Sequence, residues 1–300
     1  MRSRKRPLDG VLLLDKPVGP SSNAALQRVK WLFRADKAGH TGSLDPLASG
    51  LLPICFGEAT KLSSYLLTGD KGYRTIARLG IRTDTLDATG RPLVERGFEH
   101  VDADSIEAAL RRFRGDIEQV PPMYSALKRG GTALYELARK GVEIEREPRR
   151  VRIEGLRLVD WMPPFLVLDV DCSSGTYVRT LVDDIGEALN CGAHVHALRR
   201  TWAAPFLDPA MTPMSALDAL EGDLAALDRL LLPIEVLTAG IPSARIGADQ
   251  RVRFSHGNPV NSAEAVIAKE IAVLDQDGHL LGIARCDDGH TLKAVRVLNR

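Results

Sequence analysis

The chain has 300 residues, 44% hydrophobic and 26% charged, with a formal net charge of +1, which is long enough for a sizeable core and excludes disordered and fibrous classes. No apolar run reaches the roughly eighteen residues of a membrane span, and the basic start MRSRKRPLDG is not followed by an apolar signal segment, so a cytoplasmic protein is expected. Four scattered cysteines (Cys55, Cys172, Cys191, Cys286) form no C-x-x-C pair, which argues against a disulfide framework or a zinc ribbon.

Gly10 to Leu14 reads as a strand leaving the core at Asp15-Lys16-Pro17, with a turn at Gly19-Pro20. Ser21, Ser22 and Asn23 are N-cap candidates for a helix whose apolar face is Leu26, Val29 and Phe33. Next comes GHTGSLDPLASGLLPICFGEATK, from Gly39 to Lys61. It sets one carboxylate, Asp45, between the small residues Thr41, Gly42 and Ser43 and a proline, flanked by Leu44 and Leu47. Packed neighbours around a lone acid on a tight loop suggest a presented nucleophile or general base. The bland alternative is an Asp that caps its own turn.

Glu58 to Leu67 repeats a helical period. In KGYRTIARLG the period is two, which puts Tyr73, Thr75, Ala77 and Leu79 on one face and Tyr73 at the start of a strand, where packing is its ordinary role. Ser105 to Phe113 is a further amphipathic helix. From Pro121 to Arg150, paired prolines, paired glycines and charge indicate an inserted arm around a short helix near Ala133 to Arg139. Val151 to Trp161 and Phe165 to Ser173 alternate as an antiparallel pair. A helix then runs from Val178 to Leu189, with Tyr177 and Arg179 at its N-terminus. The macrodipole disfavours a cation there, so Arg179 is expected to have an acidic or phosphate partner.

His194 and His196, two apart on a strand, would share a face, but no further ligands at metal spacing accompany them. Leu198-Arg199-Arg200 would end that strand. Ala216 to Leu232 reads as an acidic helix, Pro233 to Pro242 as a linker, and the remainder as a β meander of about sixty residues with Gly- and Asp-containing turns.

Charge is unevenly distributed along the chain. Residues 1–40 carry nine Lys/Arg against three Asp/Glu, a local +6, and Lys128 to Arg152 carry eight against four, a local +4. Residues 201–300 carry nine against thirteen, a local −4. Two basic segments could form a phosphate-binding surface, although charge runs are commonly just solvated faces.

Five strings together resemble the bacterial tRNA pseudouridine-55 synthases: VLLLDKPVGPSSN, GHTGSLDPLASGLLP, KGYRTIARLG, PPMYSALK and SSGTYVRTLVDDIG. They occur in that family's order and cover nearly the whole chain. The resemblance implies an α+β fold with a mixed, largely antiparallel central sheet flanked by helices, an inserted thumb at about 121–150, and a small all-β PUA-like RNA-binding C-terminal domain. It divides the chain into a catalytic domain at 1–240 and the C-terminal domain at 241–300. By the same resemblance Asp45 is the nucleophile, Arg179 its partner, and Tyr73 the stacking group and proton-transfer candidate. Tyr177 and Leu198 line the uridine pocket, His40 enters the RNA, and Lys16 and Lys61 make structural or backbone contacts. The implied substrate is the T stem-loop of tRNA, bound by a monomer without guide RNA, membrane, cofactor or metal. The isomerisation is redox-neutral, and the chain has no Rossmann or Walker motif. A non-catalytic RNA-binding protein and a guide-dependent relative are the competing readings, and the second lacks support from any long basic tail.

Overall fold

Apolar alternation lays most of the chain into strands, and the longest assemble into one mixed sheet. The structure, a computed structural model, describes residues 5–125, 127–262 and 265–299. The first half supplies β1 (Gly10–Lys16), β2 (Ala38–His40), β3 (Ala48–Phe56), β4 (Lys71–Leu79), β5 (Ile81–Thr83), β6 (Pro92–Glu95), β7 (Gly115–Gln119), β8 (Lys128–Arg129) and β9 (Thr132–Ala133). The second adds β10 (Arg149–Met162), β11 (Phe165–Cys172), β12 (Ala193–Ala203) and β13 (Thr212–Pro213), then β14 (Ser243–Arg245), β15 (Val260–Asn261), β16 (Ala268–Leu274), β17 (Leu280–Cys286) and β18 (Thr291–Val297). The helices are α1 (Ser22–Leu32), α2 (Ser63–Leu67), α3 (Ala103–Arg112), α4 (Leu134–Arg139), α5 (Val178–Ala188), α6 (Met214–Ala219), α7 (Leu224–Asp228) and α8 (Ala248–Ser255).

Among the described residues the large sheet has the order β13-β1-β3-β12-β4-β11-β10-β7, with β2 also paired to β3. Only β1·β13 and β3·β12 are parallel, so the expected mixed, largely antiparallel sheet flanked by helices is what forms. A second sheet, β14-β16-β17-β18-β15, follows from Ser243 onward. It is β-rich as expected and also carries α8, whose Phe254 is fully buried.

The sheet is buried on both faces near its centre, which is why β1 and β3 read as continuous apolar runs rather than alternating ones. Leu12 and Leu14 of β1 pack with α1, α6 and α7, while Val11 and Leu13 face the other way. That second face meets Ala272, Leu280, Ile283 and Leu298 of the small sheet in one apolar cluster. A separate cluster joins α3 and α5 to β4, β10, β11 and β12. Tyr73 and Leu198 touch both this cluster and that of α1, so they stand at the seam between two halves of the core.

Gly50 makes the β3·β12 junction possible. Its φ is +97°, and a Cβ there would lie 2.2 Å from the Arg200 carbonyl oxygen. Any side chain would force the two strands apart.

Several local expectations change. Residues 57–67 form a 3₁₀ turn, Gly57–Leu62, followed by the one-turn α2. Thr60 Oγ1 and Ser63 Oγ donate back to the Gly57 and Thr60 carbonyls, in competition with a regular helical ladder. The span 216–232 is broken into α6 and α7 at Gly222, whose φ is +94°, and Asp223 caps the second helix. β12 continues past Arg200 to Ala203. The region 233–242 is no bare linker, since it holds a 3₁₀ turn, Ile234–Thr238, that buries Ile234 and Leu237. His194 and His196 do not share an environment, because β12 bulges between Val195 and Ala197. His194 is buried with Nδ1 2.8 Å from the Ile81 carbonyl, whereas the exposed His196 tilts against Phe165.

The basic N-terminal segment is also less free than its count suggests. Arg6 pairs with Asp228, and Arg28 with Asp218 and Glu221. The local +6 and −4 therefore partly cancel by folding onto each other. Residues 1–4 and Ala126 of the PPMYSALK string lie outside the described residues. No helix among the described residues is long and apolar enough to cross a membrane.

Candidate active site

The loop before β3 is held from two sides by the segment that follows β1. Ser22, the first residue of α1, accepts from the Leu44 amide at 2.7 Å and donates to the Leu44 carbonyl at 2.9 Å. The Gly19 amide donates to the Pro46 carbonyl at 2.8 Å. The clamping segment is itself tied down by Lys16, fully buried, whose Nζ donates to the carbonyls of Pro17 and Pro20, each at 2.8 Å. Asp45 lies between the clamped residues Leu44 and Pro46, so its backbone is fixed before any side-chain contact is made.

The loop does not consume the carboxylate as a turn cap. The Ala48 amide donates to the Asp45 carbonyl at 3.0 Å, closing the turn through the backbone, and Pro46 has no N–H to offer. The Asp45 side chain, 45% exposed, instead meets Arg179 Nε at 3.0 Å. Arg179 is 6% exposed on its side chain and spends its other nitrogens on fixed acceptors. Nη1 donates to the Thr85 carbonyl at 3.0 Å and lies 3.7 Å from Asp87. Nη2 donates to the Tyr124 carbonyl, at the base of the 121–150 arm, at 2.7 Å.

Five planar donors suit this four-way role, which an ammonium could not fill. The arrangement answers why a cation stands in the first turn of α5. Asp87 is in turn oriented by Thr85 Oγ1 and by the amide and hydroxyl of Thr89.

Burial raises the Asp45 carboxyl above its ordinary range. Arg179 is the strongest influence in the opposite direction, Asp87 adds to the rise, and Lys16 lowers it. Lys16 is pushed down to about 8 by burial, against the attraction of Asp45. The site thus sets two carboxylates, Asp45 half-exposed and Asp87 buried, against two buried cations, Arg179 and Lys16.

Tyr73, Tyr177, Leu198 and His40 are also expected site residues, and both tyrosines lie near enough to Asp45 for its charge to act on their phenols. Tyr73 is the third residue of β4, beside β12, and burial raises its phenol, with Arg200 the largest opposing influence. Tyr177 precedes α5, its backbone held by Gln119, which accepts from the Tyr177 amide at 3.0 Å and donates to its carbonyl at 3.3 Å. Burial raises its phenol too. Leu198, on β12 opposite Ala48 and Thr75, is partly buried against the two core clusters that also meet at Tyr73. His40 ends β2, with Nδ1 buried and unpartnered among the described residues. Burial, then Arg200, lower its pKa.

Lys61 is not brought to this group. Its Nζ pairs with Glu58 at 2.6 Å and donates to the Val297 carbonyl at 3.0 Å, at the contact with the small sheet.

Sequence reading missed Asp87, Gln119, Ser22 as a clamp, and Arg200. Asp87 lies in TDTLDATG, whose crowding of Thr and Asp was a usable signal for a buried hydrogen-bonded carboxylate. For Arg200 the signal was the Arg-Arg pair in a strand, because alternation must send one of two adjacent side chains inward.

Residues 30–178 match the model of the TruB family pseudouridylate synthase N-terminal domain. Residues 179–239 match the tRNA pseudouridylate synthase B C-terminal domain, and 242–298 the C-terminal domain of pseudouridine synthase II TruB. The tRNA pseudouridine synthase B of Pseudomonas aeruginosa (strain UCBPP-PA14) is 52% identical over 296 residues, covering 98% of this chain and 97% of that protein. Its counterpart from Haemophilus influenzae (strain PittEE) is 48% identical over 302 residues, covering 100% and 98%. Among solved structures, one described as a Cbf5-Nop10-Gar1 complex superposes with a TM-score of 0.74 at 25% identity, covering 97% of this chain and 84% of that one. With the family models tiling residues 30–298 and relatives at about half identity along their whole length, the chain belongs to the TruB family of pseudouridylate synthases.

Proposed function

We propose that this protein is a tRNA pseudouridine synthase that converts uridine 55, in the T loop, to pseudouridine, with Asp45 as the reacting carboxylate. The observation that carries this reading is the Asp45–Arg179 pair, placed on a clamped loop with two tyrosines near enough to feel its charge, in a chain of this family. Position 55 follows from the likeness of its five motif strings to the pseudouridine-55 synthases.

The reaction breaks N1–C1′, turns the uracil, forms C5–C1′, removes the proton from C5 and leaves one on N1, with no net oxidation. Three routes at Asp45 share one requirement. Attack at C1′, attack at C6, and removal of a sugar proton to give a glycal all need an ionised carboxylate beside the nucleotide. Burial works against ionisation, and Arg179 restores it while fixing the carboxylate's direction.

The target base must leave its stack, at a cost of a few kcal/mol that stacking on Tyr73, about 1 to 3 kcal/mol per base, offsets in large part. Tyr177 and Leu198 enclose the nucleotide, and His40, at the mouth, fills the space left in the RNA. Lys16 acts through the loop it ties down, and Lys61 is a structural contact. The 121–150 arm closes over the stem-loop, while the part from 241 onward adds RNA contacts to those of the first 240 residues. The protein acts in the cytoplasm as a monomer, without guide RNA, cofactor or metal.

The test is turnover on a T stem-loop RNA labelled with tritium at uracil C5. Wild-type protein is expected to release label from uridine 55, and Asp45→Ala to release none while still binding the RNA. Equal release by the two proteins would remove Asp45 from the chemistry, and tight binding without release by wild type would leave an RNA-binding protein.

A further inference from the structure

We propose that Arg200 is a positioning residue of the reaction, joining the Asp45 loop and the Tyr73 phenol into one rigid unit. The inference rests on the reading of Tyr73 as the group that stacks on the base and takes part in proton transfer, and it adds a residue to that reading.

Arg200 is the largest fully buried side chain among the described residues, at 1% exposure. Its nitrogens reach both ends of the catalytic loop. Nε donates to the Leu51 carbonyl at 2.6 Å, within β3, and Nη2 donates to the Gly42 carbonyl at 3.0 Å, three residues before Asp45. Across the sheet Arg200 is the register partner of Tyr73, close enough for its charge to oppose the rise that burial imposes on the Tyr73 phenol. One planar group therefore holds the loop before Asp45 and the strand after it, directly across the sheet from the tyrosine.

The electrostatics are unusual for a buried arginine. No described carboxylate lies within ion-pair distance of Arg200, in contrast to Arg179. Its nearest charged neighbours include His40 from β2 and Lys71 from β4, both of which it makes harder to protonate. Around Tyr73 the groups are Arg200 from β12, Cys172 from β11 and Asp45 from the loop. Only Arg200 among these favours negative charge on the phenol. A buried cation held by neutral carbonyls keeps its field available for charge that appears during reaction, as do preorganised donors in other active sites. An arginine that merely filled space would have no reason to leave its charge uncompensated at this point.

The test pairs Arg200→Lys, which retains charge but cannot span all the acceptors, with Arg200→Met, which loses both. Full-length proteins labelled with ¹³C at tyrosine Cζ give resonances for the five tyrosines, and the Tyr73 signal is assigned by its disappearance in Tyr73→Phe. In Arg200→Met the Tyr73 resonance is expected to titrate at higher pH than in wild type, with Arg200→Lys between them. Tritium release should show kcat reduced about tenfold to a thousandfold in Arg200→Met, the range for losing one preorganised donor, with KM for the RNA within about threefold. A smaller loss is expected in Arg200→Lys.

An unmoved Tyr73 titration in folded Arg200→Lys, or wild-type kcat in either variant, overturns the proposal. If wild-type protein releases no label at all, the function proposed above fails, and the Tyr73 resonance still decides whether Arg200 governs the phenol.

Discussion

Asp45 in the large sheet and Asp288 in the small one both sit in tight turns, yet the two regions use the same side chain in opposite ways. Asp288 accepts from the amides of His290 and Thr291 at 3.0 and 2.7 Å, which together with the Thr291 side chain hold its carboxyl far below the ordinary range. It is a cap. Asp45 closes its turn through its own carbonyl and is followed by a proline, so its carboxylate faces Arg179 across the cleft, with burial pushing it upward. The difference lies in which backbone N–H groups can reach the oxygen, and it separates an aspartate consumed by its own turn from one left to meet a distant arginine more cleanly than turn composition does.

Graded substitutions should sharpen that contrast. Loss of label release by Asp45→Ala is the extreme. Arg179→Lys comes next, because it keeps a charge but not the fork that also serves Thr85, Asp87 and Tyr124. We expect kcat to fall about a hundredfold, on the scale of one strong charge-assisted contact.

The acid limb of its rate profile should also move to higher pH. In the proposed reaction Asp45 must be ionised, its carboxyl is already raised, and Arg179 is the strongest influence holding it down. An acid limb that stays in place would show that another group sets the profile.

Lys16 gives a smaller effect, visible in stability. Its folded value is depressed from 10.5 to about 8, so between about pH 8 and 10.5 the unfolded chain binds more protons, and this group makes stability rise with pH across that window. Denaturant titrations at several pH values should show the rise in wild type and its loss in Lys16→Met.

Asp288→Ala should do least. Its depressed carboxyl stabilises the fold above about pH 4 and ceases to do so as pH falls further. Melting curves should therefore show a slightly less stable variant at pH 7, a gap that closes in acid, and wild-type tritium release throughout. A large loss of turnover would mean that the small sheet takes part directly in the site.

Much of this was legible in the sequence, for identifiable reasons. Period-two alternation placed β4, β10 and β11, and the Ser21 cap and apolar spacing placed α1. Tyr177 and Arg179 were correctly set at a helix start, where the misplaced cation announced an acidic partner. What sequence could not supply were contacts between distant segments. Ser22 looked like an N-cap candidate, yet its hydroxyl spans 22 positions to hold Leu44. The bulge that separates His194 from His196, and the break at Gly222, depend on neighbouring strands and packing rather than on local period. The two-signed charge of the termini was visible as numbers, and its mutual neutralisation needed the fold.

The apolar cluster shared by the two sheets has a consequence for the proposed RNA substrate. β3, which begins just after the Asp45 loop, sends Leu51 and Cys55 into the same cluster as Leu280, Ile283 and Leu298. At its edge Glu58 accepts from the Asn299 amide and Lys61 donates to the Val297 carbonyl. In the reaction proposed above, Asp45 and the small sheet are thus graduations on one stiff rule: an RNA that touched both would have to present its target nucleotide at one set distance along its length.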